Sequence, residues 1–311
     1  MTSPVDEPQS LEELDSRLRT VLPEEYQDSY EEVQPVSMGS AGLKYGNDGM
    51  VAWDQMWGSF CDLAMAGGPP HKGTLLEPGL QTAVEDQPDR YKEVTTEICR
   101  GVTMVTDLPA EVSPTPGWVT VDCYSEGMAQ WLLRAITMEN VAARADRRAL
   151  ELPAAPSFRL EKEIKNVITV ITKTCHYWLG HMSREQKVEI ACLFAALSDE
   201  SPLIEPLFTG DGRRSAADAP LFASVAADIE RQTGLRRSRH EYAGWMGVEC
   251  PSVRAAVWMM RALVVNNVLA RREETVLFVP VNPELDPDGQ VVVTTLARVH
   301  ALAAAKGVVG G

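Results

Sequence analysis

The chain is predicted to adopt a helix-rich α/β fold built from two similar halves. Three observations carry that prediction. Gly117–Pro156 and Gly244–Pro283 align without a gap and are identical at 16 of 40 positions, the mark of an internal duplication. Each copy reads as strand, amphipathic helix, strand, which implies a right-handed βαβ crossover in each half. The flanks align too: with Cys61 over Cys192, the LLEP of Leu75–Pro78 falls over the LIEP of Leu203–Pro206 once three loop residues are dropped. The repeat therefore runs from about residue 50 to the C-terminus, with His176 over His300 near its end. Duplicated units pack about a pseudo-twofold axis, and a pocket is expected at the seam.

The expected organisation is an acidic leader over residues 1–40, a first repeat over 41–182 and a second over 183–311. The leader is expected to be mobile in its first ten residues. From Met1 to Ser37 it carries ten acids against Arg17 and Arg19, a balance of 2 - 10 = -8, about half of the net charge of -15. The remainder, with 45% hydrophobic and 23% charged residues in the whole chain, has the composition of a folded protein.

The elements follow in order. Gly46-Asn47-Asp48-Gly49 tolerates positive φ and predicts a small hairpin over Ala41–Trp53. Asp54 can cap a helix running through Cys61, the loop Ala66–Thr74 (AGGPPHKGT) follows, and a second helix is expected around Tyr91–Met104. Trp118–Cys123 alternates as a strand, and Ser125 caps a helix with Met128, Trp131, Leu132 and Ala135 at three-and-four spacing. Leu150–Leu152 is read as a strand because its copy, Thr275–Val281, plainly is one. Leu160, Ile164, Val167, Ile168, Ile171, Cys175 and Trp178 repeat at helical spacing, and Ser183 with Gln186 is read as a capping box for the next helix.

An acidic chain without a basic tract argues against nucleic acid, since phosphate neutralisation needs clustered Lys and Arg. No apolar run approaches membrane-spanning length, and the N-terminus lacks a basic region followed by an apolar one, so a cytoplasmic location with reduced cysteines is expected. The expected partner is a small-molecule ligand; self-association as a homo-oligomer is left open, and no cofactor motif is legible.

Polar residues present in both copies are candidates for fold or for symmetric function. Cys123 and Cys250 lie between a strand end and a helix start, where backbone amides favour an anion. Two such thiols across a pseudo-twofold suit two-base proton transfer, as in a racemase; alternatively both are buried packing residues, as is expected of Cys61 and Cys192. The preceding acids, Asp122 and Glu249, suit a general base, or an ion pair at the rim. Arg134 and Arg261, with Asn140 and Asn267, are candidates for holding a small, anionic substrate, or for tying their helices to the fold. The asymmetric element is the loop with His71 and Lys72, which has no counterpart in the second copy and can supply acid-base chemistry or a rigid turn. Cys175, His176 and His181 form a weak metal-binding pattern in one copy, and no metal ligand set is assigned. Gly210-Asp211-Gly212 reads as a surface loop.

Three functions are consistent with this: an acid-base enzyme of the isomerase or lyase type using His71, Lys72, Asp122, Cys123, Glu249 and Cys250; a noncatalytic metabolite-binding or assembly protein; and a metal-dependent enzyme using His71, Asp122, Glu249 and His176.

Overall fold

A computed structural model describes residues 7–28, 42–57, 74–210, 212, 215, 219–240 and 242–309. It is a mixed α/β structure with two small antiparallel sheets, divided into two compact units. One comprises residues 34–183 with 210–213; the other comprises 1–33, 184–209 and 214–311.

In the 34–183 unit the expected hairpin is present as an antiparallel bridge between Tyr45 and Val51. Helices α2 (Trp53–Trp57) and α3 (Gln81–Asp86) precede the long α4 (Pro88–Thr106). Pro88 opens α4 where its missing N–H costs nothing. Asp107, left-handed at φ 57°, closes it, and Thr106 Oγ1 donates to the Val102 carbonyl while accepting the Leu108 amide. Strands β1 (Ala110–Val112) and β2 (Trp118–Asp122) pair, and the Ser125 hydroxyl accepts the Met128 amide as the N-cap of α5 (Glu126–Met138). Then come β3 (Arg144–Asp146), β4 (Ala149–Pro153) and α6 (Lys165–His176), the last bounded by π-helical turns at Leu160–Ile164 and Tyr177–His181. The sheet order is β1-β2-β4-β3. Helices α4 and α5 pack on the sheet and α6 packs on both, around the fully buried Ile98, Trp118, Met128, Leu132 and Ile136.

The other unit contains α1 (Glu7–Thr20), α7 (Arg184–Glu200), α8 (Ala219–Thr233), β5 (Trp245–Glu249), α9 (Val253–Val264), β6 (Arg271–Glu273), β7 (Val276–Pro280) and α10 (Gln290–Ala305). Its sheet has the order β5-β7-β6. Ser252 caps α9 through the Ala255 amide, and Thr233 back-bonds to Ile229 while accepting the Leu235 amide. Asp286 holds the start of α10 by accepting the amides of Val291 and Val292.

Three features differ from the sequence reading. The strands flanking α5 and α9 are not adjacent parallel partners: β2 pairs antiparallel with β4, and β5 with β7. After each helix the chain makes one more reversal, through the three-residue strand β3 or β6, so the strand returning beside β2 or β5 runs the opposite way. The reversal escapes the sequence because Arg144–Asp146 is short and polar. Its two-residue turn also places Arg147 at φ 52°, and Glu274 at φ 50°, in a region that normally signals itself with Gly or Asn.

Second, the leader contains α1, which packs on α7 and α9 with Leu14 and Leu18 buried. Each of these side chains contributes about 2 kcal/mol of apolar burial. Gln186, read as half of a capping box, donates its side-chain amide to the Thr20 and Leu22 carbonyls at the end of α1. Third, Cys192 is exposed on α7, and Gly212 is buried, its carbonyl accepting the Trp118 indole N–H at 3.2 Å. No helix among the described residues is long and apolar enough to cross a membrane.

Candidate functional site

The two thiols occupy equivalent turns in their own units. The Cys123 amide donates to the Arg148 carbonyl and the Cys250 amide to the Thr275 carbonyl, so each closes a strand–helix junction. Burial pushes the Cys123 thiol up to about 12, with Asp122 adding to the shift and Arg148 opposing it. Burial alone drives Cys250 up to about 12. Both therefore remain thiols at neutral pH, and the amides at these helix starts do not overcome desolvation.

The acids beside them face outward. Asp122 holds Arg148 in a two-oxygen contact at 2.9 and 3.0 Å, each partner 55% exposed, a pair worth little to stability. Glu249 is exposed at the end of β5. Arg134 is buried on α5 and donates to the carbonyl and side-chain oxygen of Gln130, while Arg261 is part-exposed in the last turn of α9. His71 and Lys72 lie outside the described residues.

Asn140 and Asn267 end α5 and α9 in the left-handed conformation, at φ 61° and 62°. Each carbonyl accepts an amide from the expected LxEP segment: Leu76 N–H donates to Asn140 at 2.8 Å and Ile204 N–H to Asn267 at 2.9 Å. The side-chain amide of Asn267 also donates to the Ser201 carbonyl. These asparagines thus shape a backbone junction in each unit.

Of the predicted residues, Asn267 lines a cavity of about 200 Å³ in the unit that holds α1 and α7. Its walls are α1, the end of α7, the turn after α9 and one face of α10. Arg17 pairs with Glu13 and donates to Asn266 Oδ1 at 3.1 Å. Glu200 and Arg298, both exposed, line the same cavity and make no side-chain hydrogen bond or ion pair with any described residue. Thr294, Thr295 and Ser201 add hydroxyls. Among the described residues the lining combines the carboxylates of Glu13 and Glu200, the guanidinium groups of Arg17 and Arg298, amides and hydroxyls, with no Cys, His, Lys or Tyr.

The 34–183 unit handles the same local position differently. Glu139 precedes Asn140 as Asn266 precedes Asn267, and Glu139 forms an ion pair with Lys173 of α6 at 2.8 Å, with the lysine 6% and the glutamate 16% exposed. On α6 every residue from Val167 to Cys175 is buried, Lys173 among them, whereas α10 buries Val292, Val293, Leu296 and Val299 and leaves Arg298 exposed.

His176 and His181 approach each other, with Nε2 atoms 2.9 Å apart, while Cys175 is buried and its thiol held well above its ordinary range by desolvation. Among the described residues no group of three or more His, Cys, Asp and Glu side chains is placed to hold a metal ion. Comparison with protein-family models, curated proteins and solved structures finds no match for this chain.

The cavity was missed by sequence reasoning because α1 supplies one wall and the leader was read by composition alone. A signal existed: the two aligned segments differ at Glu139 and Asn266, an acid against an amide one residue before an asparagine present in both.

Proposed function

We propose that this protein is a noncatalytic binder of a small zwitterionic metabolite of amino-acid type, built by duplication of one unit and binding in the cavity of the 184–311 unit. The observation that carries this reading is the contrast between Glu139–Lys173 and Asn266–Arg298. In one copy the cation on the last helix is neutralised internally. In the other the acid is an amide, and Arg298 is left facing a cavity that also presents the unpaired Glu200. A cation that lines a cavity and makes no ion pair with any described residue suits an external anion, which a guanidinium grips in two-point fashion.

The size agrees. A volume of about 200 Å³ is below the roughly 300–1,000 Å³ of drug-sized pockets and suits a molecule with a handful of heavy atoms. Arg298 takes the carboxylate, Glu200 the ammonium group, and Asn266 with Thr294 and Thr295 the remaining polar edges. The thiols at Cys123 and Cys250, protonated and buried at strand–helix junctions, fit a structural role better than proton transfer.

A thermal-shift screen of free amino acids against their decarboxylated and deaminated analogues tests this. Stabilisation by intact amino acids, lost with either kind of analogue and in Arg298→Ala, supports the reading. Equal responses to all three, or none, removes it.

A further inference from the structure

We infer that His176 and His181 form a two-histidine site for a divalent transition-metal ion of tetragonal preference, Cu²⁺ or Ni²⁺. This is independent of the cavity, which lies in the other unit. In an α-helix, residues five apart point about 140° away from one another, since each step turns about 100°. Here α6 gives way to a π-helical turn over Tyr177–His181, whose wider winding brings the i and i+5 side chains onto the same face. The two imidazoles consequently meet edge to face, with ring centroids 4.7 Å apart and Nε2 atoms 2.9 Å apart.

Two imidazole nitrogens at that distance share either a proton or a cation. With metal–nitrogen bonds of about 2.0 Å, ligands at a right angle stand about 2.8–2.9 Å apart, whereas tetrahedral ligands stand about 3.3 Å apart. The observed separation matches the right angle, the arrangement Cu²⁺ and Ni²⁺ adopt with nitrogen and oxygen ligands. Both rings are partly exposed, so water can fill the remaining positions. The turn itself is anchored: Trp178, between the two histidines, is buried and packs against Trp131 in a tilted contact with centroids 5.8 Å apart. The pair therefore rides on a rigid support, which favours chelation over two independent weak contacts.

The experiment is titration of the tag-free full chain with Cu²⁺, followed by electron paramagnetic resonance, alongside His181→Gln, His176→Gln and, as a control in the other unit, His240→Gln. One equivalent bound with hyperfine structure from two nitrogens, weakened about tenfold or more in either site variant and unchanged in the control, is the expected result. Each site variant is checked by circular dichroism, and the folded one decides if the other unfolds. Binding that survives both site substitutions, falls equally in His240→Gln, or lacks a two-nitrogen signature overturns the assignment.

Discussion

Glu139 and Lys173 form an ion pair at 2.8 Å inside the 34–183 unit, with the lysine 6% and the glutamate 16% exposed. A buried pair has little net worth, but removing one partner strands the other charge. Glu139→Ala should therefore lower stability by about 3 kcal/mol, whereas the double replacement Glu139→Leu with Lys173→Met should cost much less. Urea unfolding measured by circular dichroism checks this; a double variant as unstable as the single one would contradict it.

Asn140 tests the reading of the paired asparagines as backbone residues. At φ 61° an alanine pays about 1–2 kcal/mol for the left-handed conformation while a glycine does not. Asn140→Gly should thus be clearly more stable than Asn140→Ala in urea. The opposite order would mean that the side chain, not the backbone, is what the position requires.

The raised thiols predict a labelling order. A brief iodoacetamide pulse at pH 8 should modify the exposed Cys192 well before Cys123 or Cys250, read by peptide mapping. The same shifts set an alkaline stability limit. Both thiols hold their protons up to about 12 when folded, against an ordinary value of 9, so the unfolded chain releases protons first. Their contribution is complete below pH 9 and is lost as the pH climbs from 9 towards 12. Cys123→Ala with Cys250→Ala should flatten the loss of stability between those limits; an unchanged alkaline profile would contradict the assigned burial.

Gly212 tests the docking of its loop on Trp118. At φ +76° and with an added Cβ only 2.5 Å from the indole nitrogen, Gly212→Ala cannot keep the 3.2 Å hydrogen bond. A cost of about 1–3 kcal/mol and a changed near-ultraviolet signal are expected. Wild-type stability in this variant would show the contact to be dispensable.

Much of this architecture is legible from the chain. Three-and-four spacing marks α5 and α6, and Ser125 caps the helix it was expected to cap, because both signals are local. What escapes is set by longer-range or atypical chemistry. Arg147 and Glu274 occupy a turn position without the residues that announce it, which turned an antiparallel sheet into an expected parallel crossover. Leu14 and Leu18 stand at helical spacing in the leader, but the acids around them dominate its composition. Gly212 looks like a surface glycine until its carbonyl is seen to satisfy Trp118. Of the predicted site residues, Asn267 reaches the cavity, and it does so as the turn that positions Asn266.

The binding proposal is tested most directly by nuclear magnetic resonance of ¹⁵N-labelled protein titrated with the amino acid that gives the largest thermal shift. The account predicts that the amide signals of Asn266, Thr295 and Arg298 move together and saturably, and that Arg298→Ala abolishes the movement without altering the rest of the spectrum. Saturable shifts that spare these residues, or that persist in Arg298→Ala, would contradict it.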